Sequence, residues 1–178
     1  MLIDAATSQF VLIDYQTRLM PVMDGGAAAL DSALRLARAA RLLQVPVLGT
    51  EQNPARLGPN DPALAALCDV MLSKMAFSAA AELRPELQRQ PQRRHIVLAG
   101  CETHVCLLQT VLSLREDPGL TLWVVQDACG SRRSEDRSAA LQRLREAGVH
   151  LVTREMVIFE WLRDCQHPQF RTLLAEIR

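Results

Sequence analysis

The stretch HIVLAGCETHVCLLQT, residues 95–110, joins two periodicities with almost nothing between them. Residues 95–100 are a short apolar run of the length expected for a buried strand. From Thr103 to Arg115 the apolar residues Leu107, Leu108, Val111, Leu112 and Leu114 recur at helical spacing. A buried strand that feeds a helix within a few residues is the repeating unit of α/β architecture. The rest of the chain repeats it. Residues 10–14 (FVLID) read as a first strand, and 26–44 as a helix carrying Leu30, Ala33, Leu34, Ala37, Ala40 and Leu43 on one face. Residues 45–51 (VPVLGTE) read as the second strand. A loop rich in Pro, Gly and Asn precedes the third, 70–74 (VMLSK), and a helix is expected over 80–90.

Beyond the opening stretch come a fifth strand at 121–128 (TLWVVQDA), a helix at 134–147 and a sixth strand at 148–153 (GVHLVT). Helical pieces fill the C-terminal end, with a break at His167-Pro168. Six buried strands alternating with helices predict a parallel sheet covered on both faces, in one domain over residues 1–178. No internal repeat or linker interrupts it.

Composition narrows the function classes. Basic and acidic residues balance at 20 each, which gives no electrostatic reason to expect nucleic acid or an anionic membrane. No apolar run approaches the roughly 18 residues of a membrane span, and the start lacks the features of a signal peptide. The expected address is cytoplasmic. Cysteines stand at 68, 101, 106, 129 and 165, an odd and scattered set that argues against a disulfide framework. No CxxC occurs, and no histidine stands at zinc-ligand spacing from a cysteine, so neither metal nor cofactor is expected. A nucleotide-binding domain is disfavoured because no GxGxxG follows the first strand.

Parallel sheets of this kind bind ligands beyond the carboxyl ends of their strands. Asp14 ends the first strand, Lys74 the third and Asp127 the fifth, while Cys106 follows the fourth. Singly, such residues are usually a turn cap, a solvated cation and a core thiol. Together, an acid, an amine and a thiol at one rim point to a nucleophilic site. Asp127 is expected instead to anchor the DACGS turn through backbone amides. With Thr103 as N-cap, Cys106 falls in the first helical turn, where free N–H groups and the helix dipole favour a thiolate and can hold an oxyanion. Asp14 would be the base and Lys74 a favourable charge. Cys101 has no comparable position and is expected to be structural.

The segments VLIDYQ, PVLGTEQNPARLGP, SKMAFS, LAGCETHVCLLQT, VVQDACGSR and HPQF cover nearly the whole chain. Through them the sequence resembles the isochorismatase-like cysteine hydrolases, the superfamily that includes nicotinamidases and N-carbamoylsarcosine amidohydrolase. The TEQ, GxET and HPxF patterns are those of its small isochorismatase-domain-containing subgroup. The resemblance implies a three-layer α/β/α sandwich with strand order 3-2-1-4-5-6 and a catalytic triad of Asp14, Lys74 and Cys106. It also implies a non-proline cis peptide at Cys101-Glu102 that aims the Glu102 and Cys106 amides into one oxyanion hole. Gln16, Glu51, Phe77 and Thr103 are the residues expected around the substrate.

Two departures qualify the transfer. Nicotinamidases carry a DxH-and-His metal site after the second strand, where this chain has Glu51-Gln52-Asn53, so no catalytic metal is expected. True isochorismatases generally lack the nucleophilic cysteine. The expectation is therefore hydrolysis of a small amide or related C–N bond through a thioester, in a homo-oligomer with a small-molecule substrate. The competing readings are a catalytically silent binding or scaffold protein and a redox-responsive thiol in which Cys101 resolves oxidised Cys106.

Overall fold

The structure, a computed structural model, describes residues 1–177. Its strands are β1 (Ser8–Ile13), β2 (Val47–Gln52), β3 (Val70–Lys74), β4 (His95–Gly100), β5 (Thr121–Val125) and β6 (His150–Val152). They form one parallel sheet in the order β3-β2-β1-β4-β5-β6. The helices are α1 (Gly26–Leu42), α2 (Pro54–Leu57), α3 (Pro62–Ala65), α4 (Ala80–Leu87), α5 (Leu108–Leu114), α6 (Ser134–Glu146), α7 (Arg154–Leu162) and α8 (Phe170–Ile177).

Alternation along the strands dictates the layers. Phe10 and Leu12 of β1, with Val97 and Ala99 of β4, pack on Leu36 and Ala40 of α1 and on Ile158 and Trp161 of α7. Their neighbours Val11, Ile13, Ile96 and Leu98 face the other way, against Leu83 of α4, Val111 of α5 and Leu144 of α6. A strand apolar on both faces cannot leave either one wet, because each large aliphatic or aromatic side chain is worth about 1.5–3 kcal/mol when buried. Helices therefore cover both sides. Every residue of β1 is buried, whereas edge strand β3 buries only Lys74. That one buried residue at an exposed edge is a cation.

Several boundaries differ from the sequence expectation. The helix expected over 80–90 ends at Leu87, and the β5 segment turns into a 3-10 stretch at Gln126–Ala128. The loop between β2 and β3 contains α2 and α3, each opened by a proline, which suits the first helical position because its missing N–H is not needed there. Asp127 does not hold its own turn. Its carboxylate accepts from the Arg154 N–H at 2.8 Å and ties the start of α7 to the end of β5. The turn is held by Arg137, which donates to the carbonyls of Cys129 and Gln126.

Gly100 lets β1 and β4 meet at the rim. It pairs in register with Ile13, and a Cβ there would lie 2.4 Å from the Ile13 Cβ and 2.5 Å from the Ile13 carbonyl oxygen. Gly100→Ala is therefore expected to lower stability by about 1–3 kcal/mol by pushing the two central strands apart. A urea midpoint equal to wild type would show that the strands absorb the methyl without strain.

Candidate active site

The carboxyl ends of β1, β2, β3 and β4 meet in one row. Ile13 is in register with Thr50 and with Gly100, and Gln52 with Lys74. The Asp14 N–H donates to the Thr50 carbonyl at 3.2 Å, and the Cys101 N–H donates to the Ile13 carbonyl at 2.9 Å. Asp14 has φ 54°, a left-handed conformation that aspartate tolerates better than most residues, and it turns the chain out of β1. Strand register thus brings residues 14, 50, 52 and 74 together from distant parts of the sequence.

Asp14 and Lys74 form an ion pair at 2.7 Å with both side chains at 0% exposure. The Thr50 hydroxyl donates to the other Asp14 oxygen at 2.7 Å. The Lys74 ammonium also donates to the carbonyls of Phe77 at 3.0 Å and Ala76 at 3.2 Å. Both charges are therefore fully hydrogen-bonded, the condition on which a buried pair is tolerated. Lys74 is the only lysine in the chain, every other basic residue being arginine. A compact ammonium with three donors fits one carboxylate oxygen and two carbonyls in a way that a planar guanidinium does not.

The residues leading into α5 form a π-helical segment, Thr103–Leu107, with Cys106 inside it at 4% exposure. Glu102 occupies the capping position, but its side chain makes no capping hydrogen bond. Thr103 is not the cap expected from the sequence. Its hydroxyl donates to the Gly130 carbonyl at 2.9 Å and fastens the segment to the turn after β5. The Cys101–Glu102 peptide bond is cis. The Cys106 thiol donates to Gln52 Oε1 at 3.3 Å. Burial first, and then the negative charge of Asp14, push its pKa up to about 12, with Lys74 pulling the other way. Desolvation thus opposes the thiolate that a helix-start position favours.

Cys106 and Gln52 open onto a cavity of about 370 Å³ whose wall includes Leu19, Leu57, Phe77 and Val105. Glu102 and Arg132, paired at 2.9 Å, and Arg18 complete its polar side. A larger hollow of about 650 Å³ lies at the opposite end of the sheet, between Gln9, Val45 and Val70. Its charged residues pair with one another, Arg41 with Asp69 and Arg89 with Glu86.

The family model for the isochorismatase domain matches residues 8–156, a span that contains every residue of this cluster. The chain belongs to the isochorismatase family. Isochorismatase domain-containing protein 2 of Pongo abelii is 46% identical over 146 residues, covering 82% of this chain and 71% of that one. Isochorismatase domain-containing protein 2A of Mus musculus is 40% identical over 172 residues, covering 97% and 83%. Among solved structures, a MAR1 ribonuclease from Caenorhabditis elegans superposes with a TM-score of 0.92 at 30% identity, covering 99% of this chain and 92% of that one.

Of the residues expected around the substrate, Phe77 lines the cavity and is 52% exposed. Gln16, Glu51 and Thr103 serve the scaffold. Gln16 accepts from the Gln52 N–H at 2.9 Å and donates to the Gln52 carbonyl at 3.0 Å, so it fixes the backbone at the end of β2. Glu51 accepts from the Asn60 N–H at 2.8 Å. Cys101 is fully buried, with no exposure. No three His, Cys, Asp or Glu side chains converge as metal ligands among the described residues. Glu51 and Gln52, the last two residues of β2, are engaged by the Asn60 N–H and the Cys106 thiol.

Thr50 and Gln52 are the site residues that sequence reasoning passed over. The available signal was period-two spacing, which puts both on one face of β2 two residues apart. The solitary lysine was a second signal, visible in composition alone.

Proposed function

We propose that this member of the isochorismatase family is a cysteine-dependent hydrolase of a small amide or related C–N bond. The observation that carries the reading is the buried, fully satisfied Asp14–Lys74 pair beside a thiol that opens onto a cavity. A charge pair withdrawn from water is an expensive structural device, and such groups cluster at functional sites.

In the first half-reaction Asp14 takes the Cys106 proton as sulfur attacks the carbonyl carbon. A C–S bond forms and the carbonyl electrons move onto oxygen. The Glu102 and Cys106 N–H groups are the oxyanion donors in this reading, and no backbone carbonyl accepts from Glu102 N–H among the described residues. The tetrahedral species collapses, the C–N bond breaks, and Asp14 returns its proton to the leaving amine. The product is a Cys106 thioester. In the second half Asp14 takes a proton from water, hydroxide adds to the thioester, and the C–S bond breaks as Asp14 returns that proton to sulfur, giving acid and thiol. Lys74 stays paired with Asp14 and offsets its effect on the sulfur.

The expected result is release of ammonia or amine from some member of a panel of amides, ureas and carbamates, with a covalent acyl adduct on Cys106 by intact mass. Cys106→Ala should abolish both, a loss of at least about 10⁴-fold. Turnover that survives in Cys106→Ala would sink the thioester mechanism. Adding RNA to the panel tests whether the activity named for the nematode relative applies here. RNA cleavage by wild type and Cys106→Ala alike would replace the amide reading.

A further inference from the structure

We propose that Gln52 is the specificity-determining residue of this site, selecting substrates that carry an N–H on the carbon–nitrogen bond to be cleaved. The inference rests on the thiol hydrolase reading above and adds the substrate class to it.

The geometry around Gln52 is fixed from both ends. Its backbone is gripped by the Gln16 amide through two hydrogen bonds and paired with Lys74 of β3. Its side-chain Nε2 faces the Met75 carbonyl at 3.5 Å, which leaves Oε1 pointing at the sulfur, 3.3 Å away. The other polar groups on the cavity wall have partners. Glu102 is paired with Arg132, and Arg18 donates to the Arg56 carbonyl at 2.9 Å. The Gln52 carbonyl is therefore the acceptor that meets whatever atom lies next to a carbonyl carbon under attack.

A thiol is a weak donor, and an amide N–H is a stronger one. When an amide sits with its carbonyl carbon near-attack, about 3–3.5 Å from sulfur, its nitrogen is one bond further on and its N–H reaches Gln52 Oε1. The exchange is favourable, and it has a second consequence. Displaced from Gln52, the thiol proton is left with Asp14 as its acceptor, so recognition and deprotonation occur together. An ester offers Gln52 a lone pair instead of a donor, and an N,N-dialkyl amide offers a methyl group. Neither releases the thiol. The substrates selected are primary or N-monosubstituted amides, ureas and carbamates.

Two alkylating probes, an amide and a methyl ester, test this without knowledge of the substrate, the sulfur in both displacing iodide from the methylene carbon beside the carbonyl. Iodoacetamide carries the N–H and methyl iodoacetate does not. Rates at Cys106 are read by site-resolved mass spectrometry, each divided by the rate of the same reagent with glutathione. Wild type should prefer the amide reagent by about tenfold, the worth of one hydrogen bond. Gln52→Leu should bring the two normalised rates within about twofold of each other, following the loss of that bond. Gln52→Glu should slow both reagents by adding negative charge yet keep the preference, because an acceptor remains. An unchanged preference in Gln52→Leu overturns the role of Gln52 and leaves the hydrolase reading intact. If Gln52→Leu does not fold, wild type decides alone, since equal normalised rates overturn the selection. Absence of labelling by either reagent, with no acyl adduct in the amide panel, overturns the thiol reading and the inference with it.

Discussion

Asp14→Asn and Lys74→Met are each expected to lower stability by about 3–5 kcal/mol, while the double substitution costs far less than their sum. Both side chains are at 0% exposure, and each is the other's only counter-charge within the ion pair. Removing one leaves a buried charge with hydrogen bonds but no opposite partner. Removing both leaves two neutral side chains of similar volume and relieves the desolvation cost that the pair carries. Urea unfolding of the two single variants and the double variant closes the cycle. Additive losses, or single losses within about 0.5 kcal/mol, would mean that the pair does not act as a unit.

The same variants separate the two charges at the sulfur. Asp14 raises the Cys106 pKa and Lys74 lowers it. The pH dependence of Cys106 alkylation should therefore move to lower pH in Asp14→Asn and to higher pH in Lys74→Met. Turnover should vanish in both, for opposite reasons: one has a more ionised thiol without a base, the other a base beside a more reluctant thiol. Shifts in the same direction would show that the thiol responds to loosening of the fold rather than to charge.

The sheet was legible from sequence because its central strands are apolar on both faces, a pattern that surface strands do not show. Asp14 and Lys74 were legible as rim residues because polar residues that end apolar runs lie at a sheet rim, and Cys106 because it opens the helix that follows the fourth strand. The strand order was not contained in the spacing and came from family resemblance, since alternating strands and helices fit several orders. Gln16, Glu51 and Thr103 share the rim, but a rim side chain turns toward the cavity or toward the backbone according to loops that lack a period. Gln52 was read only as a missing metal ligand. Its contact with Cys106 depends on how far α5 sits from β2, a tertiary distance. The burial that opposes ionisation of Cys106 was not legible for a related reason. A helix-start field is a local property, whereas desolvation is set by everything packed around the sulfur.

That desolvation leads to the second large effect, loss of the fold in alkali. Cys101, Cys106 and Cys129 are buried and Cys68 is half-buried, and burial is the leading cause that raises all four thiols above their ordinary range, to about 12 for Cys68, Cys106 and Cys129. In the unfolded chain a thiol ionises near 8.5. Below that pH both states hold the protons and stability does not change on their account. Above it the unfolded state releases protons that the folded state keeps, so stability falls as pH rises toward 12. Each such thiol contributes a slope of about 1.4 kcal/mol per pH unit, and the four together about 5.5. Two pH units then remove about 11 kcal/mol, comparable with the whole stability of an ordinary domain. The chain has a single tyrosine, Tyr15, and its buried phenol, also raised, adds to the loss at the upper end. With one lysine in the sequence, few other groups titrate in this window. The measurement is the urea midpoint from pH 8 to 11, in wild type and in Cys101→Ala/Cys129→Ala. The double variant starts lower because it loses buried atoms, but about half of the thiol slope should disappear, leaving the part due to Cys68 and Cys106. A flat wild-type curve would show that these thiols ionise inside the fold near their ordinary range, and an undiminished slope in the variant would show that Cys101 and Cys129 do not carry it.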